Sequence, residues 1–184
     1  VEVAGERLEL LRIAPERGST PLVFLHEGLG SVAGWRDFPR TVCERLAAPG
    51  LVYSRRGCGR SSPLEEPRGT DYLHHEAWVV LPALLTELGI EAPLLVGHSD
   101  GGSIALLYAA RHRPRAIAIM APHVFVEDVT IDGIRAAREA WGHGKLRPPL
   151  ERVHEDPDGA FFGWNDGWLD PAFRHWNIEA ELPK

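Results

Sequence analysis

The 184-residue chain lacks several features that would assign it to a specialised class of protein. No apolar run approaches the ~20 residues that a membrane-spanning helix needs. The first residues do not show the basic and apolar segments of a secretory signal. Two cysteines, Cys43 and Cys58, are too few for a disulfide framework, so both are expected to be reduced. Together these absences predict a cytoplasmic protein with no membrane partner.

Positive charge is scarce relative to negative charge. The 20 Lys and Arg residues are outnumbered by 26 Asp and Glu residues, which gives a formal net charge of −6. This balance argues against nucleic acid as a partner, because polyanions attract basic proteins. No Cys, His and carboxylate cluster has the spacing of a zinc site, so neither a metal nor an organic cofactor is expected. The partner that remains is a small-molecule substrate.

The hydrophobic pattern predicts strands that alternate with helices, which is typical of a mostly parallel α/β sheet covered on both faces. A turn is expected at Pro15–Thr20, and a helix with a kink at Pro82 is expected over about 72–88. The predicted strands are 7–13, 22–26, 51–54, 92–96 and 116–120, and the other predicted helices are 35–48, 103–111 and 131–141.

The stretch Gly97-His98-Ser99-Asp100-Gly101 carries the clearest functional signal. It lies between the apolar run 92–96 and the helix-forming run 103–111, as expected of a G-x-S-x-G nucleophile elbow. The sharp turn of such an elbow requires very small flanking residues and exposes the serine oxygen at a helix N-terminus. Ser99 is therefore predicted to be a catalytic nucleophile.

Two further motifs, together with the elbow, are similar to those of the α/β-hydrolase-fold serine hydrolases. Leu25-His26-Glu27-Gly28-Leu29-Gly30-Ser31 resembles the His-Gly-x-x-Gly oxyanion loop of that family, with Glu27 in place of a common glycine. Arg55-Arg56-Gly57-Cys58-Gly59-Arg60-Ser61 resembles its Arg-Gly-x-Gly-x-Ser turn. The resemblance implies that 1–125 is the N-terminal part of the hydrolase core and that 126–184 is a helical, aromatic-rich cap.

The resemblance also implies the parts of an acyl-transfer site. Ser99 would attack, and the backbone N–H groups of Asp100 and Gly28 would form the oxyanion hole. Glu27 is expected to anchor its loop rather than to face substrate. The implied activity is hydrolysis of an ester or related acyl bond of a small apolar substrate, because aromatic residues are dense in the cap.

The base and the acid of the triad are harder to place, because the family order is Ser, then Asp or Glu, then His. The chain ends at Lys184, where the strand after the cap is expected to begin, so the base is expected beyond Lys184. Asp128 follows the strand 116–120 and is a weak candidate for the acid. His123 lies near the same strand end and could approach the site, but it is expected to be a packing or surface residue. The same is expected of the cap histidines His143, His154 and His175.

Two alternatives remain open at this stage. The chain is either an enzyme or a catalytically incomplete fragment or binding module, in which a second polypeptide or another copy completes the sheet. A more remote interpretation is an NADP-binding protein, because Gly28-x-Gly30-x-x-Ala33 follows a strand and Arg55 and Arg56 follow the next one.

Overall fold

The computed structural model describes residues 1–13 and 20–182, and its centre is a five-stranded sheet. A short hairpin of two strands precedes that sheet. The strands of the hairpin are β1 (Glu2–Val3) and β2 (Glu6–Arg7), and those of the sheet are β3 (Leu10–Ile13), β4 (Leu22–Leu25), β5 (Gly50–Tyr53), β6 (Leu94–His98) and β7 (Ala116–Met120). The order in the sheet is β3-β5-β4-β6-β7, and only β3 is antiparallel to its neighbour. The predicted mostly parallel α/β sheet is confirmed.

Helices cover both faces of this sheet. The helices are α1 (Phe38–Leu46), α2 (Tyr72–His75), α3 (Leu81–Glu87), α4 (Asp100–Arg111), α5 (Asp128–Gly142), α6 (Arg147–Glu151) and α7 (Pro157–Leu169). A π-helical turn, Glu76–Val80, joins α2 to α3, and 3₁₀ turns lie at Pro171–His175 and Glu179–Glu181. Alternate strand residues face opposite sides, so Phe24 packs with α1 in one apolar cluster and Leu25 packs with α3 and α4 in the other.

The cap helices share a core with the sheet. Trp168 and Phe173, from the C-terminal third of the chain, belong to the same buried cluster as Leu25 of β4 and Leu107 of α4. The division into 1–125 and 126–184 therefore stays a prediction, because one apolar core spans both sides of that boundary.

The chain departs from the predicted elements at two points near its N-terminus. The predicted strand 7–13 is divided between β2 and β3, and a tight turn with Ala4 and Gly5 at positive φ joins β1 to β2. The helix predicted from Trp35 begins at Phe38, because Arg36 has a φ of 52° and Pro39 fits only the first turn of a helix. The turn predicted at Pro15–Thr20 falls almost wholly outside the described residues.

Strand β7 is one of the two edge strands of the sheet, opposite β3. It pairs with β6 on one side, and Ile119 and Met120 are each 36% exposed. This is the apolar edge expected of a sheet that another strand would extend. In the described part of the chain, no helix is long and apolar enough to cross a membrane.

Candidate active site

The nucleophile elbow connects β6 to α4. Ser99 has a φ of 51° and a ψ of −118°, a backbone conformation that non-glycine residues rarely adopt. A Cβ atom at Gly97 would overlap the Gly101 carbonyl, and one at Gly101 would overlap the Leu25 carbonyl of β4. These close approaches account for both glycines of the motif, and they place the elbow directly against the start of the oxyanion loop.

A histidine lies within hydrogen-bond distance of the serine. The Nε2 atom of His123 is 3.2 Å from the Oγ atom of Ser99. The Ser103 hydroxyl holds the backbone of His123 on both sides, since it donates to the His123 carbonyl at 2.6 Å and accepts from its N–H at 2.9 Å. The ring of His123 packs edge-on against Trp168, with the ring centroids 4.7 Å apart. His123 thus packs against the C-terminal part of the chain, as expected, and it also lies within reach of Ser99.

Electrostatics favour the neutral form of His123. Burial lowers the pKa of this imidazole below its ordinary value, although the carboxylates of Asp100 and Glu127 act in the opposite direction. A neutral imidazole has a free lone pair and can accept the proton of a serine hydroxyl. A neutral His123 at this distance from Ser99 is therefore in a position to accept the hydroxyl proton.

The two predicted oxyanion donors are both free of competing acceptors. Among the hydrogen bonds of the described residues, neither the Gly28 N–H nor the Asp100 N–H has a partner. Asp100 is the first residue of α4, where backbone N–H groups point outward and attract negative charge. Both N–H groups are therefore available in the described structure to act as the predicted oxyanion donors.

The oxyanion loop, residues 26–30, is held by a buried arginine. Arg55 is 1% exposed, and its guanidinium donates to the His26 carbonyl at 2.6 Å and to the Glu27 carbonyl at 2.7 Å. The Arg55 backbone N–H donates to Nε2 of His26 at 3.0 Å, so the proton of that ring lies on Nδ1, which contacts the Glu27 carbonyl. Burial lowers the pKa of His26 well below its ordinary value and keeps the ring neutral.

His154 holds the far end of the same loop. Its Nδ1 atom accepts from the Gly59 N–H at 2.9 Å, and its Nε2 atom lies 3.0 Å from the Leu29 carbonyl. Both ring nitrogens are occupied, so His154 has no free nitrogen for Ser99. Its pKa is lowered by burial, which fits a neutral ring with one donor and one acceptor. His143 and His175 are exposed.

Two carboxylates have structural partners. Asp128 begins α5, pairs with Arg174 and leaves 90% of its side chain exposed, so its role as the acid stays a prediction. The Glu27 carboxylate lies 3.6 Å from Nδ1 of His98, and it packs against the backbone at Gly30. This contact is the loop-anchoring arrangement expected of Glu27.

Sequence reasoning missed Arg55 and Tyr72. Arg55 stands one position before the Arg-Gly-x-Gly-x-Ser motif, and only its complete burial distinguishes it from partly exposed Arg56. The Tyr72 hydroxyl donates to Oδ2 of buried Asp100 at 2.6 Å. A carboxylate directly after the nucleophile is the one signal in the sequence that points to such a buried partner.

The NADP interpretation does not fit this geometry. A dinucleotide fingerprint needs a helix that begins within the glycine motif, but α1 begins at Phe38, eight positions after Gly30. No group of three or more His, Cys, Asp or Glu side chains in 1–13 and 20–182 is arranged to hold a metal ion.

Known proteins with similar sequences are peptidases. A proline iminopeptidase of Lactiplantibacillus plantarum is 37% identical over 110 residues, which is 58% of this chain and 37% of that protein. A second, from Lactobacillus delbrueckii subsp. lactis, is 32% identical over 98 residues, which is 53% of this chain and 33% of that protein. The match thus spans little more than a third of either relative.

Similar solved structures include hydrolases, at sequence identities that show the fold alone. An alpha/beta hydrolase enzyme from a Medee basin deep-sea metagenome library has a TM-score of 0.71 and 16% identity, over 100% of this chain and 74% of that one. An esterase from Exiguobacterium antarcticum has a TM-score of 0.69 and 16% identity, over 100% and 75%. The sequence profile of the alpha/beta hydrolase fold matches residues 20–177. The chain belongs to the alpha/beta hydrolase fold family.

Proposed function

We propose that the protein is a serine hydrolase that cleaves an ester or related acyl bond through an acyl-enzyme at Ser99. The observation that carries this proposal is the 3.2 Å contact between Ser99 Oγ and His123 Nε2, in an elbow whose neighbouring N–H groups lack acceptors. A nucleophile, a base and oxyanion donors are the three elements that acyl transfer needs.

The proposed reaction has two steps. His123 Nε2 takes the Ser99 proton while Oγ attacks the substrate carbonyl carbon, and the oxyanion binds the N–H groups of Gly28 and Asp100. The carbonyl re-forms, and the leaving group departs with the proton from His123. Water then attacks the acyl-enzyme with the same base, which releases the acid and free Ser99. In comparable enzymes, the loss of one side-chain oxyanion donor costs about 10²–10³ in kcat.

The aromatic residues of α7 support a small, apolar substrate. Trp164 lies so close to Gly28 that a Cβ atom there would overlap the indole, and Trp168 contacts the ring of His123. Trp164 thus borders the residue that bears one predicted oxyanion donor, and buried Trp168 borders the proposed base. Apolar surroundings of this kind favour the hydrocarbon part of a ligand, while the few polar groups orient its reacting carbonyl.

A second candidate is the release of an N-terminal proline from a peptide. The 37% identity to the proline iminopeptidase of Lactiplantibacillus plantarum favours it. Amide and ester hydrolysis use the same nucleophile and oxyanion hole, so substrate assays must separate the two. Turnover of proline 7-amido-4-methylcoumarin without turnover of p-nitrophenyl butyrate supports the peptidase, and the reverse supports the esterase.

Labelling with a fluorophosphonate probe tests the nucleophile and the base. We expect the 184-residue chain to be labelled at Ser99, Ser99→Ala to abolish labelling, and His123→Gln to slow it at least a hundredfold. If the encoded protein continues past Lys184, the extended chain is compared in parallel. Labelling of the extended chain that is indifferent to His123→Gln would place the base beyond Lys184. No labelling of either chain rejects the hydrolase proposal.

The open edge of β7 is proposed to receive another strand, from a second polypeptide or another copy of the chain. The exposed side chain of Ile119 lies on that edge strand. We expect Ile119→Lys to reduce self-association in analytical ultracentrifugation, since a charge opposes edge-to-edge pairing. A monomeric parent chain would argue against another copy.

The proposed location is cytoplasmic.

A further inference from the structure

Helix α7 brings two tryptophans to the candidate site from one face. Trp164 and Trp168 are four residues apart, so they are neighbours on the same side of the helix. Trp168 is 1% exposed, and its indole N–H donates to the Tyr72 hydroxyl at 2.9 Å. The cap is therefore hydrogen-bonded to a residue at the start of α2.

The Tyr72 hydroxyl also contacts Asp100, the residue that follows the nucleophile. It donates to Oδ2 of Asp100 at 2.6 Å, a distance typical of a hydrogen bond to an ionised acceptor. An indole N–H can only donate, so the Tyr72 oxygen must accept from Trp168 and direct its own proton to Asp100. Trp168 therefore donates to Tyr72, and Tyr72 donates to Asp100, in one series of hydrogen bonds.

Asp100, at the end of this series of hydrogen bonds, bears a predicted oxyanion donor. The carboxylate of Asp100 is buried, and its other oxygen, Oδ1, has no hydrogen-bond partner among the described residues. Tyr72 is consequently the one side chain in the described residues that holds the Asp100 side chain by a hydrogen bond. Because the side chain and the N–H share one Cα atom, we expect that a displaced Asp100 side chain would also shift that N–H.

We propose that Tyr72 is a positioning residue that couples docking of the cap helix α7 to the orientation of the Asp100 oxyanion donor. This inference rests on the proposed function for its catalytic consequence. Trp164 supports it independently, because it packs on Gly28, the residue that bears the other donor. Displacement of α7 would therefore release both halves of the oxyanion hole together.

The test compares two buried tyrosines in the protein at its full encoded length. Tyr72→Phe removes the hydroxyl between Trp168 and Asp100. Tyr53→Phe is the matched control, since Tyr53 is 1% exposed and its hydroxyl has no hydrogen-bond partner among the described residues. With the ester that the wild type turns over, we expect Tyr72→Phe to lower kcat about tenfold with little change in KM, because an oxyanion donor acts mainly in the transition state. Tyr53→Phe is expected to leave both constants within twofold.

A second measurement does not depend on catalysis. In ¹H–¹⁵N spectra, we expect Tyr72→Phe to shift both the Trp168 indole resonance and the Asp100 amide resonance, and Tyr53→Phe to shift neither. If the Asp100 amide does not move, or if Tyr53→Phe lowers kcat as much as Tyr72→Phe, the coupling is refuted. Failure of the wild type to react at Ser99 would refute the proposed function, and the spectra would still decide the coupling.

A second pair of variants covers the case in which Tyr72→Phe does not fold. Asp100→Asn keeps a carbonyl oxygen that can accept from Tyr72, whereas Asp100→Ala removes the acceptor. We expect Asp100→Asn to leave the Trp168 indole resonance and the amide resonance of residue 100 near their wild-type positions. We expect Asp100→Ala to move the Trp168 indole resonance away from its wild-type position. Equal spectra for both variants would overturn the proposed coupling.

Discussion

Replacement of Arg55 by methionine is the most direct test of how the oxyanion loop is held. Methionine keeps most of the apolar stem but removes the two donors to the His26 and Glu27 carbonyls. A hydrogen bond from a charged group contributes about 1.5–3 kcal/mol, and loss of one partner of a buried charge costs about 3–5 kcal/mol. The buried carboxylates of Asp100 and Glu76 would also lose a neighbouring cation. We therefore expect Arg55→Met to lower the free energy of unfolding by about 3–5 kcal/mol.

The adjacent arginine provides the control. Arg56 has a side chain that is 29% exposed, and its ion pairs with Glu6 and Glu65 are longer, at 3.7 and 3.4 Å. Partly exposed pairs of this kind contribute about 1 kcal/mol or less, so Arg56→Met is expected to be mild. Urea unfolding followed by tryptophan fluorescence measures both variants, and fluorophosphonate labelling reports on the loop. If Arg55→Met costs less than Arg56→Met, the loop is not held by Arg55.

Three further predictions follow from the charges and the backbone at the elbow. Asp100→Asn removes a carboxylate that raises the pKa of His123, so the acid limb of the labelling rate should move to lower pH; a shift to higher pH would contradict this. Burial raises the pKa of Glu76 to about 7, which means that the folded state holds a proton more tightly than the unfolded state between about pH 4.5 and 7. Glu76 therefore stabilises the folded state less as pH rises. In denaturant titrations, the free energy of unfolding of Glu76→Gln should increase relative to the parent by up to about 3 kcal/mol between pH 5 and pH 8. A pH-independent difference between the two proteins would reject the shifted pKa. Ser99→Gly should raise the free energy of unfolding by about 1–3 kcal/mol relative to Ser99→Ala, since glycine adopts positive φ without strain, and equal stability would show that the elbow is unstrained.

The sequence predicts the parts of this molecule that short-range patterns determine. The buried strands read as continuous apolar runs, and the two glycines beside Ser99 follow from backbone contacts that any elbow of this shape makes. The order of the three motifs then places the oxyanion loop beside the nucleophile. These features need only residues that are close together in the chain or in neighbouring strands.

The contacts that hold the site in place join residues far apart in sequence. Arg55 reaches a loop 29 positions earlier, Tyr72 reaches Asp100 across 28 positions, and His154 reaches Gly59 across 95. Burial separates Arg55 from its neighbour Arg56, and no periodicity in the sequence reports that burial. The approach of His123 to Ser99 is not visible in the sequence either, since it depends on how the chain turns after β7.

The buried charges at this site also predict how its variants combine. Arg55, Asp100 and Glu76 are each at most 4% exposed, and buried charge networks are often no more stable than apolar replacements of the same volume. Much of the cost of Arg55→Met should therefore come from the carboxylates that it leaves without a cation. If so, adding Asp100→Asn and Glu76→Gln to Arg55→Met should recover much of the lost unfolding free energy, a non-additivity expected of groups in one network. Labelling of Ser99 should not recover, because the loop carbonyls still lack donors. Strict additivity of the three substitutions would mean that these charges do not act as one network.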